Sequence, residues 1–276
     1  MKQLLILPLV LLLIPASFRN VTCQSMQEKI SITDDLYYQR IADSVFLIIH
    51  YFPPPYGCNS LLVVLPENKA VLIDTPNETT GTKSLVDWID EKFGPLELRV
   101  INTGFHQDNL GGNEFLISRK IPVYGSDLTA RLIRGKEDYL KGLLLETTSE
   151  LENRKYYKSY QTLHFMPPDN TFPIQQGLNL NFGDECIEVC FPGESHTVDN
   201  VVVYLHKRGI LFGGCMIYAM ESRHKGFIGD ANLEEWPQAL LNVKTRFSVA
   251  STVVPGHGSC GDLSLIDHTI EVLQEQ

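Results

Sequence analysis

The chain has 276 residues, 43% of them hydrophobic, and a net charge of −10 at pH 7. That length supports one large domain or two small ones around a sizeable core. With no basic run or basic face, nucleic acid is excluded as a natural partner.

Lys2 followed by the apolar run Leu4 to Pro15 reads as a signal peptide, too short to span a bilayer comfortably. Residues 1–25 are assigned to it, with cleavage expected between Ala16 and Ser25. Cys23 offers a lipidation point, although Asn20-Val21-Thr22 fits that signal poorly. No second long apolar run follows. The mature protein is therefore expected to be periplasmic or secreted, soluble or tethered through Cys23, without a membrane span, and monomeric.

The six cysteines, Cys23, Cys58, Cys186, Cys190, Cys215 and Cys260, are scattered and match no disulfide framework. Cys186 and Cys190 share one face of a predicted strand roughly 13 Å apart, too far to bridge.

In chain order, Val45 to Ile49, Leu61 to Leu65 and Ala70 to Ile73 read as buried strands joined by tight turns. Leu85, Trp88, Ile89 and Phe93 recur at helical spacing, and Gly94-Pro95 ends that helix. Arg99 to Thr103 and Pro122 to Tyr124 are strands. In the second half, Cys186 to Phe191, Val201 to Leu205, Ile210 to Phe212 and Val253-Val254 are strands. Leu233, Trp236, Leu240, Val243 and Phe247 make an amphipathic helix, and Leu265 to Leu273 a last one. Two halves of strands and helices predict two sheets face to face with helices outside.

Four segments carry metal-competent side chains in glycine-rich loops behind strands. They are Thr103-Gly104-Phe105-His106-Gln107-Asp108-Asn109-Leu110-Gly111-Gly112, Gly193-Glu194-Ser195-His196-Thr197-Val198-Asp199-Asn200, Gly213-Gly214-Cys215 and Pro255-Gly256-His257-Gly258. Imidazole, thiolate and carboxylate are the usual zinc donors. A lone loop histidine is more often merely solvated; four such segments, each behind a strand, point jointly to a metal. His50, His164, His206, His224 and His268 have no partner motif and are assigned to packing or surface.

These loops resemble the active site of the metallo-β-lactamases that carry a cysteine ligand. The resemblance runs from about Ile32 to the C-terminus. It includes Leu72-Ile73-Asp74-Thr75-Pro76, Pro122-Val123-Tyr124-Gly125-Ser126 and the segment from Gly229-Asp230-Ala231-Asn232 to Pro237. It implies an α/β fold, a four-layer αββα sandwich of two mixed β-sheets with helices outside, formed by residues 26–276 as one catalytic domain. It also implies two adjoining zinc sites. Asp108, Cys215 and His257 match the second site completely. His106 and His196 match the first, whose third histidine is replaced by Gly104. The one-zinc subclass also lacks that histidine, has asparagine there, and is largely restricted to carbapenems.

Other departures concern substrate. Where the family often holds the substrate carboxylate with a lysine, this chain has Tyr218; Arg223 or Lys225 are candidates for that part. Phe227 replaces an asparagine that helps polarise the lactam carbonyl. Phe52 and Tyr56, in Phe52-Pro53-Pro54-Pro55-Tyr56, resemble the apolar flap over substrate, with a rigid proline-rich loop as the alternative.

The resemblance implies zinc-dependent hydrolysis of the β-lactam amide bond, conferring antibiotic resistance, with one zinc held tightly and a second uncertain. Zinc brings the pKa of water to about 7. Without the first site, attacking water needs a general base, for which His106, His196 and Asp108 are the candidates. A histidine restored at Gly104 is expected to complete a three-histidine set, provided the backbone there accepts a side chain. Two readings stand beside the one-zinc lactamase: a two-zinc enzyme with a weak first site, and a zinc-binding protein of this fold with little lactamase activity and another ligand.

Overall fold

The computed structural model describes residues 28–53, 57–150 and 154–275. The predicted signal peptide, Cys23 and Tyr56 lie outside them. Eight strands form the first sheet in chain order: β1 (Ile30–Ser31), β2 (Leu36–Ala42), β3 (Val45–Tyr51), β4 (Gly57–Leu65), β5 (Lys69–Ile73), β6 (Glu97–Ile101), β7 (Val123–Ser126) and β8 (Asn170–Phe172). Pairing is antiparallel from β1 to β5 and parallel from β5 to β8. The second sheet holds β9 (Leu178–Phe182), β10 (Glu185–Cys190), β11 (Val202–Leu205), β12 (Ile210–Gly214) and β13 (Thr252–Pro255), with only the β12–β13 pair parallel. The helices are α1 (Thr79–Phe93), α2 (Gln107–Leu110), α3 (Asn113–Ser118), α4 (Asp127–Thr147), α5 (Arg154–Thr162), α6 (Trp236–Arg246) and α7 (Ser264–Gln274).

The period-two geometry of a strand explains the layers. In β3, Val45, Leu47 and Ile49 point into a core shared with Ile187, Val189, Val203 and Phe212 of the second sheet. The alternate residues Phe46 and Ile48 pack instead with Leu85, Val86 and Ile89 of α1. Both faces of β3 are therefore buried, which is why it reads as an unbroken apolar run. On the other outer face, Val202, Tyr204, Leu211 and Val253 meet Trp236, Leu240 and Val243 of α6 and Leu265 and Ile266 of α7. The order helix, sheet, sheet, helix is the four-layer sandwich expected from the sequence.

Helix starts follow local chemistry. Glu78 caps α1 by accepting from the Thr80 and Gly81 N–H groups, and Ser126 caps α4 by accepting from Thr129 N–H at 2.9 Å. A serine cap such as Ser126 contributes about 1 kcal/mol. α4 and α5 enclose a fourth apolar cluster, in which Ile133, Leu140, Tyr156 and Tyr160 surround Phe52 and Phe105. Phe105 immediately precedes His106, so this cluster seats one loop of the site.

Candidate metal centre

The four histidine-, aspartate- and cysteine-bearing loops follow β6, β10, β12 and β13, and the folded chain gathers them at one edge of the sandwich. Backbone bonds lock them together. Val201 N–H donates to Thr103 O at 2.9 Å, Gly256 N–H to Gly214 O at 2.7 Å, and Asn59 N–H to Gly256 O at 2.8 Å. Gly256 is required by this closeness, because a Cβ there would lie 2.7 Å from Cys215 N. Beneath the first loop, buried Asp74 accepts from Thr103 N–H at 2.7 Å, from Thr103 Oγ1 at 2.6 Å and from Asn109 Nδ2 at 3.0 Å.

Asp108, Cys215 and His257 come together with their donor atoms all within 4.8 Å of one another. Asp108 Oδ2 lies 3.1 Å from His257 Nε2 and 3.3 Å from Cys215 Sγ, and Sγ lies 3.9 Å from His257 Nε2. The other ring nitrogen of His257, Nδ1, donates to Gly57 O at 2.9 Å, so Nε2 is the nitrogen turned toward the cluster, where the protonated ring donates to Asp108 Oδ2. Burial favours the neutral form of Asp108, yet the hydrogen bond and charge of His257 hold its carboxyl well below the usual range. Burial pushes the Cys215 thiol up, and the neighbouring Asp108 and Asp74 charges add to this. A buried thiol and carboxylate crowded this closely need a cation to be ionised together.

The donor set fits zinc. Among the described residues, three buried atoms here have no hydrogen-bond partner, Asp108 Oδ1, Asn109 Oδ1 and His196 Nδ1. Buried polar atoms are rarely left so, and a ligand-binding centre is a recognised reason.

His106 and His196 stand side by side with ring centroids 5.2 Å apart. Burial lowers the His196 pKa to about 3, aided by His106, so its imidazole is neutral at physiological pH. His106 Nε2 lies 3.1 Å from Asp230 Oδ2, and the other oxygen of Asp230 takes Lys136 Nζ at 2.5 Å. The hydrogen bond from His106 holds the Asp230 carboxyl well below the usual range, and Lys136 lowers it further. At Gly104, a Cβ would lie 2.6 Å from Asn200 Nδ2 and 3.0 Å from Asn109 Oδ1. Two amides thus occupy the space toward which a side chain there would grow.

The proposed substrate residues are placed unevenly. Phe227 is 40% exposed, with its ring 5.8 Å from that of His106. Tyr218 is turned inward: its hydroxyl donates to Lys225 O at 2.5 Å and its ring packs on Trp236. Arg223 is exposed and donates to Met220 O at 3.1 Å. Phe52 is buried, stacked on His50 and edge-on to Tyr156 and Tyr160, rather than presented as a flap. Cys58, Cys186, Cys190 and Cys215 are free thiols.

Sequence reasoning did not single out Asp230, Lys136 or Asn200 as parts of the site. Asp230 lay within a segment noted for resemblance, and Asn200 ended the His196 motif. Lys136 carried no signal, because a lysine on a charged helix is ordinarily a solvated one.

A two-sheet sandwich with an Asp-Cys-His cluster at one edge defines a class of metal-dependent hydrolase scaffold. The Metallo-beta-lactamase superfamily model matches residues 53–257, and the chain belongs to that superfamily. It is 36% identical over 210 residues to "Metallo-beta-lactamase type 2" of Pseudomonas aeruginosa, covering 76% of this chain and 72% of that protein. It is 32% identical over 213 residues to "Metallo-beta-lactamase type 2" of Bacillus cereus, covering 77% and 72%. Among solved structures, a metallo-beta-lactamase from Pontibacter korlensis aligns with TM-score 0.73 at 32% identity, over 87% of this chain and all (100%) of that one.

Proposed function

We propose that residues 26–276 form an exported hydrolase that opens the β-lactam amide bond with one tightly held zinc, and so protects its host from β-lactam antibiotics. The observation that carries this reading is the convergence of Asp108, Cys215 and His257 within 4.8 Å, on a chain whose relatives are named metallo-beta-lactamases. Zinc at those three residues would stabilise the nitrogen anion released as the C–N bond breaks.

The chain's own residues supply the rest. Asp230 accepts from Nε2 of His106, so Nδ1 is the nitrogen free to take a proton from attacking water. This is the base-and-orienter arrangement of hydrolytic dyads. His196, neutral beside it, is available to hold the water. Phe227 lines the approach with apolar surface and offers no polar group to the carbonyl.

Residues 1–25 are proposed as the signal peptide, with the mature chain periplasmic or secreted. Among the described residues no helix is long and apolar enough to cross a membrane.

A second reading, a zinc-binding protein of this fold acting on another ligand, is favoured by the inward turn of Tyr218. One experiment separates the two. Purified protein is assayed against a penicillin, a cephalosporin and a carbapenem, with and without chelator. Chelator-sensitive turnover, greatest for the carbapenem, is expected. No turnover of any of the three with zinc bound would favour the second reading.

A further inference from the structure

We propose that Asn77 is a positioning residue for the metal centre: it joins the turn on which the first metal loop rests to β3, β4 and α5, and so sets how firmly Asp108, Cys215 and His257 hold their ion. The role rests on the reading of that cluster as a zinc site. The bracing itself is a property of the folded, zinc-free chain.

The turn after β5, residues 74–77, is the bed of the loop. Thr75 N–H donates to Asn109 O at 3.2 Å, and Gly112 N–H donates to Thr75 Oγ1 at 2.9 Å. Gly111 lies so close to the Asn77 carbonyl that a Cβ on the glycine would run into it. These contacts grip the loop at positions 109, 111 and 112, directly behind Asp108. Cys215 and His257 follow strands of the second sheet, whereas Asp108 follows β6 of the first. Asp108 is therefore the ligand whose placement depends on this bed.

The rest of Asn77 faces outward and is bonded on each side. Its N–H donates to His50 Nδ1 at 3.1 Å, Nδ2 donates to Phe52 O at 3.1 Å, and Oδ1 accepts from the Cys58 thiol. The Tyr160 hydroxyl, from α5, donates to the same Phe52 carbonyl at 3.5 Å and meets the Asn77 side chain. Asn77 is 7% exposed, so water competes poorly for these contacts. One side chain thus ties the bed to β3, β4 and α5 together.

The amide has one workable orientation. A carbonyl only accepts, so Nδ2 must face Phe52 O, which leaves Oδ1 to the thiol. Asn77→Leu keeps a similar shape but takes the partner away from a buried carbonyl and a buried thiol. A buried group left unpaired carries its full desolvation penalty. The turn escapes that penalty by parting locally from β3 and β4, and the bed of the metal loop moves with it. Local opening of this kind leaves the global fold standing. Outer partners that hold ligands in place are typically worth about 10–100-fold in metal affinity.

The test compares Asn77→Leu with Ile89→Ala, which removes buried packing under α1 and no side-chain hydrogen bond. Zinc-free mature protein is followed by amide hydrogen exchange, and binding of cobalt(II) alone by its thiolate charge-transfer band. In Asn77→Leu, residues 75–77 and 106–112 should exchange about tenfold faster while 252–256 stay as in wild type, and cobalt should bind about tenfold more weakly. Ile89→Ala should melt lower yet keep wild-type exchange in those segments and its cobalt affinity. If Asn77→Leu fails to fold, Asn77→Ser serves. Its hydroxyl can meet the Cys58 thiol but is too short for Phe52 O, and both readouts should shift by about threefold, the net worth of one hydrogen bond. Wild-type exchange and affinity in the Asn77 variant that folds would overturn the proposal. So would an Ile89→Ala that reproduces both changes, since lost stability alone would then explain them. A wild type that takes up no cobalt would overturn it through the metal reading, and the exchange data tell that failure from a failure of the brace. No readout depends on hydrolysis, so a chain that turns over no lactam but behaves as described loses only its hydrolytic reading.

Discussion

Gly104 and Asn200 compete for one space: a Cβ on the glycine would lie 2.6 Å from Nδ2 of the asparagine. Gly104 is not among the glycines with positive φ, so the backbone itself accepts a side chain there. The obstacle is the amide, and it is held. Asn200 Oδ1 accepts from Thr197 N–H at 2.8 Å and from Ser195 Oγ at 3.3 Å. Gly104→Ala is therefore expected to destabilise the protein by about 1–3 kcal/mol, the usual range for an overpacked site. Gly104→His alone should melt lower still and gain no metal. Combined with Asn200→Ala it should bind a second zinc equivalent. Thermal melts and metal analysis of the three variants check this, and a second equivalent in the single histidine variant would contradict it.

Two buried cysteines near the site should behave oppositely. Cys215 stands 3.3 Å from Asp108 Oδ2, whereas Cys58 donates to Asn77 Oδ1. Thiolate is the softest donor in the cluster. Cys215→Ser should lose most of the bound zinc, and Cys58→Ser should keep it, as measured by metal content after gel filtration.

Tyr218 stands where the family often places its carboxylate-binding lysine, but its hydroxyl is already spent on Lys225 O. Tyr218→Phe is expected to lower stability by about 1 kcal/mol, the net worth of one hydrogen bond. KM for any substrate should stay within about twofold, which is about 0.4 kcal/mol of binding. A tenfold rise in KM would mean the hydroxyl reaches substrate after all.

His50 provides a pH signature in chelated protein. Burial is the main cause that lowers its pKa to about 4, and Nδ1 accepts from Asn77 N–H at 3.1 Å. In the unfolded chain its pKa is about 6.5. A histidine depressed on folding contributes stability above its unfolded pKa, and loses it as pH falls toward the folded value, because the unfolded state takes the proton first. Between about pH 6.5 and pH 4 the stability difference between wild type and His50→Asn should therefore change with a slope approaching one proton, about 1.4 kcal/mol per pH unit. Denaturant melts across that window measure it, and a pH-independent difference would contradict the assignment.

Much of this was legible in the residues themselves. β3, β4, β5 and β11 are apolar runs with short turns, and α6 and α7 carry clear helical spacing. The loops gathered at the edge were each marked by glycine beside a donor residue. What escaped was written in weaker code. β2, Leu-Tyr-Tyr-Gln-Arg-Ile-Ala, is half exposed and mixes polar and apolar residues. β9, Leu-Asn-Leu-Asn-Phe, buries only one side of a five-residue alternation. α4 is rich in charge and contains Gly135 and Gly142, and its apolar face is defined only by packing on Phe105 and α5. The Lys136–Asp230–His106 bridge joins positions 94 and 124 residues apart, a distance no local pattern reports. The burial of Phe52 depends likewise on Tyr156 and Tyr160, remote in the chain.

One complete metal site beside an incomplete one is tested most directly by counting the metal. Mature protein is loaded with excess zinc, dialysed against metal-free buffer and analysed for zinc per chain. One equivalent is predicted, since among the described residues only Asp108, Cys215 and His257 offer three protein ligands to a single ion. Two equivalents held through dialysis would contradict the account, as would none.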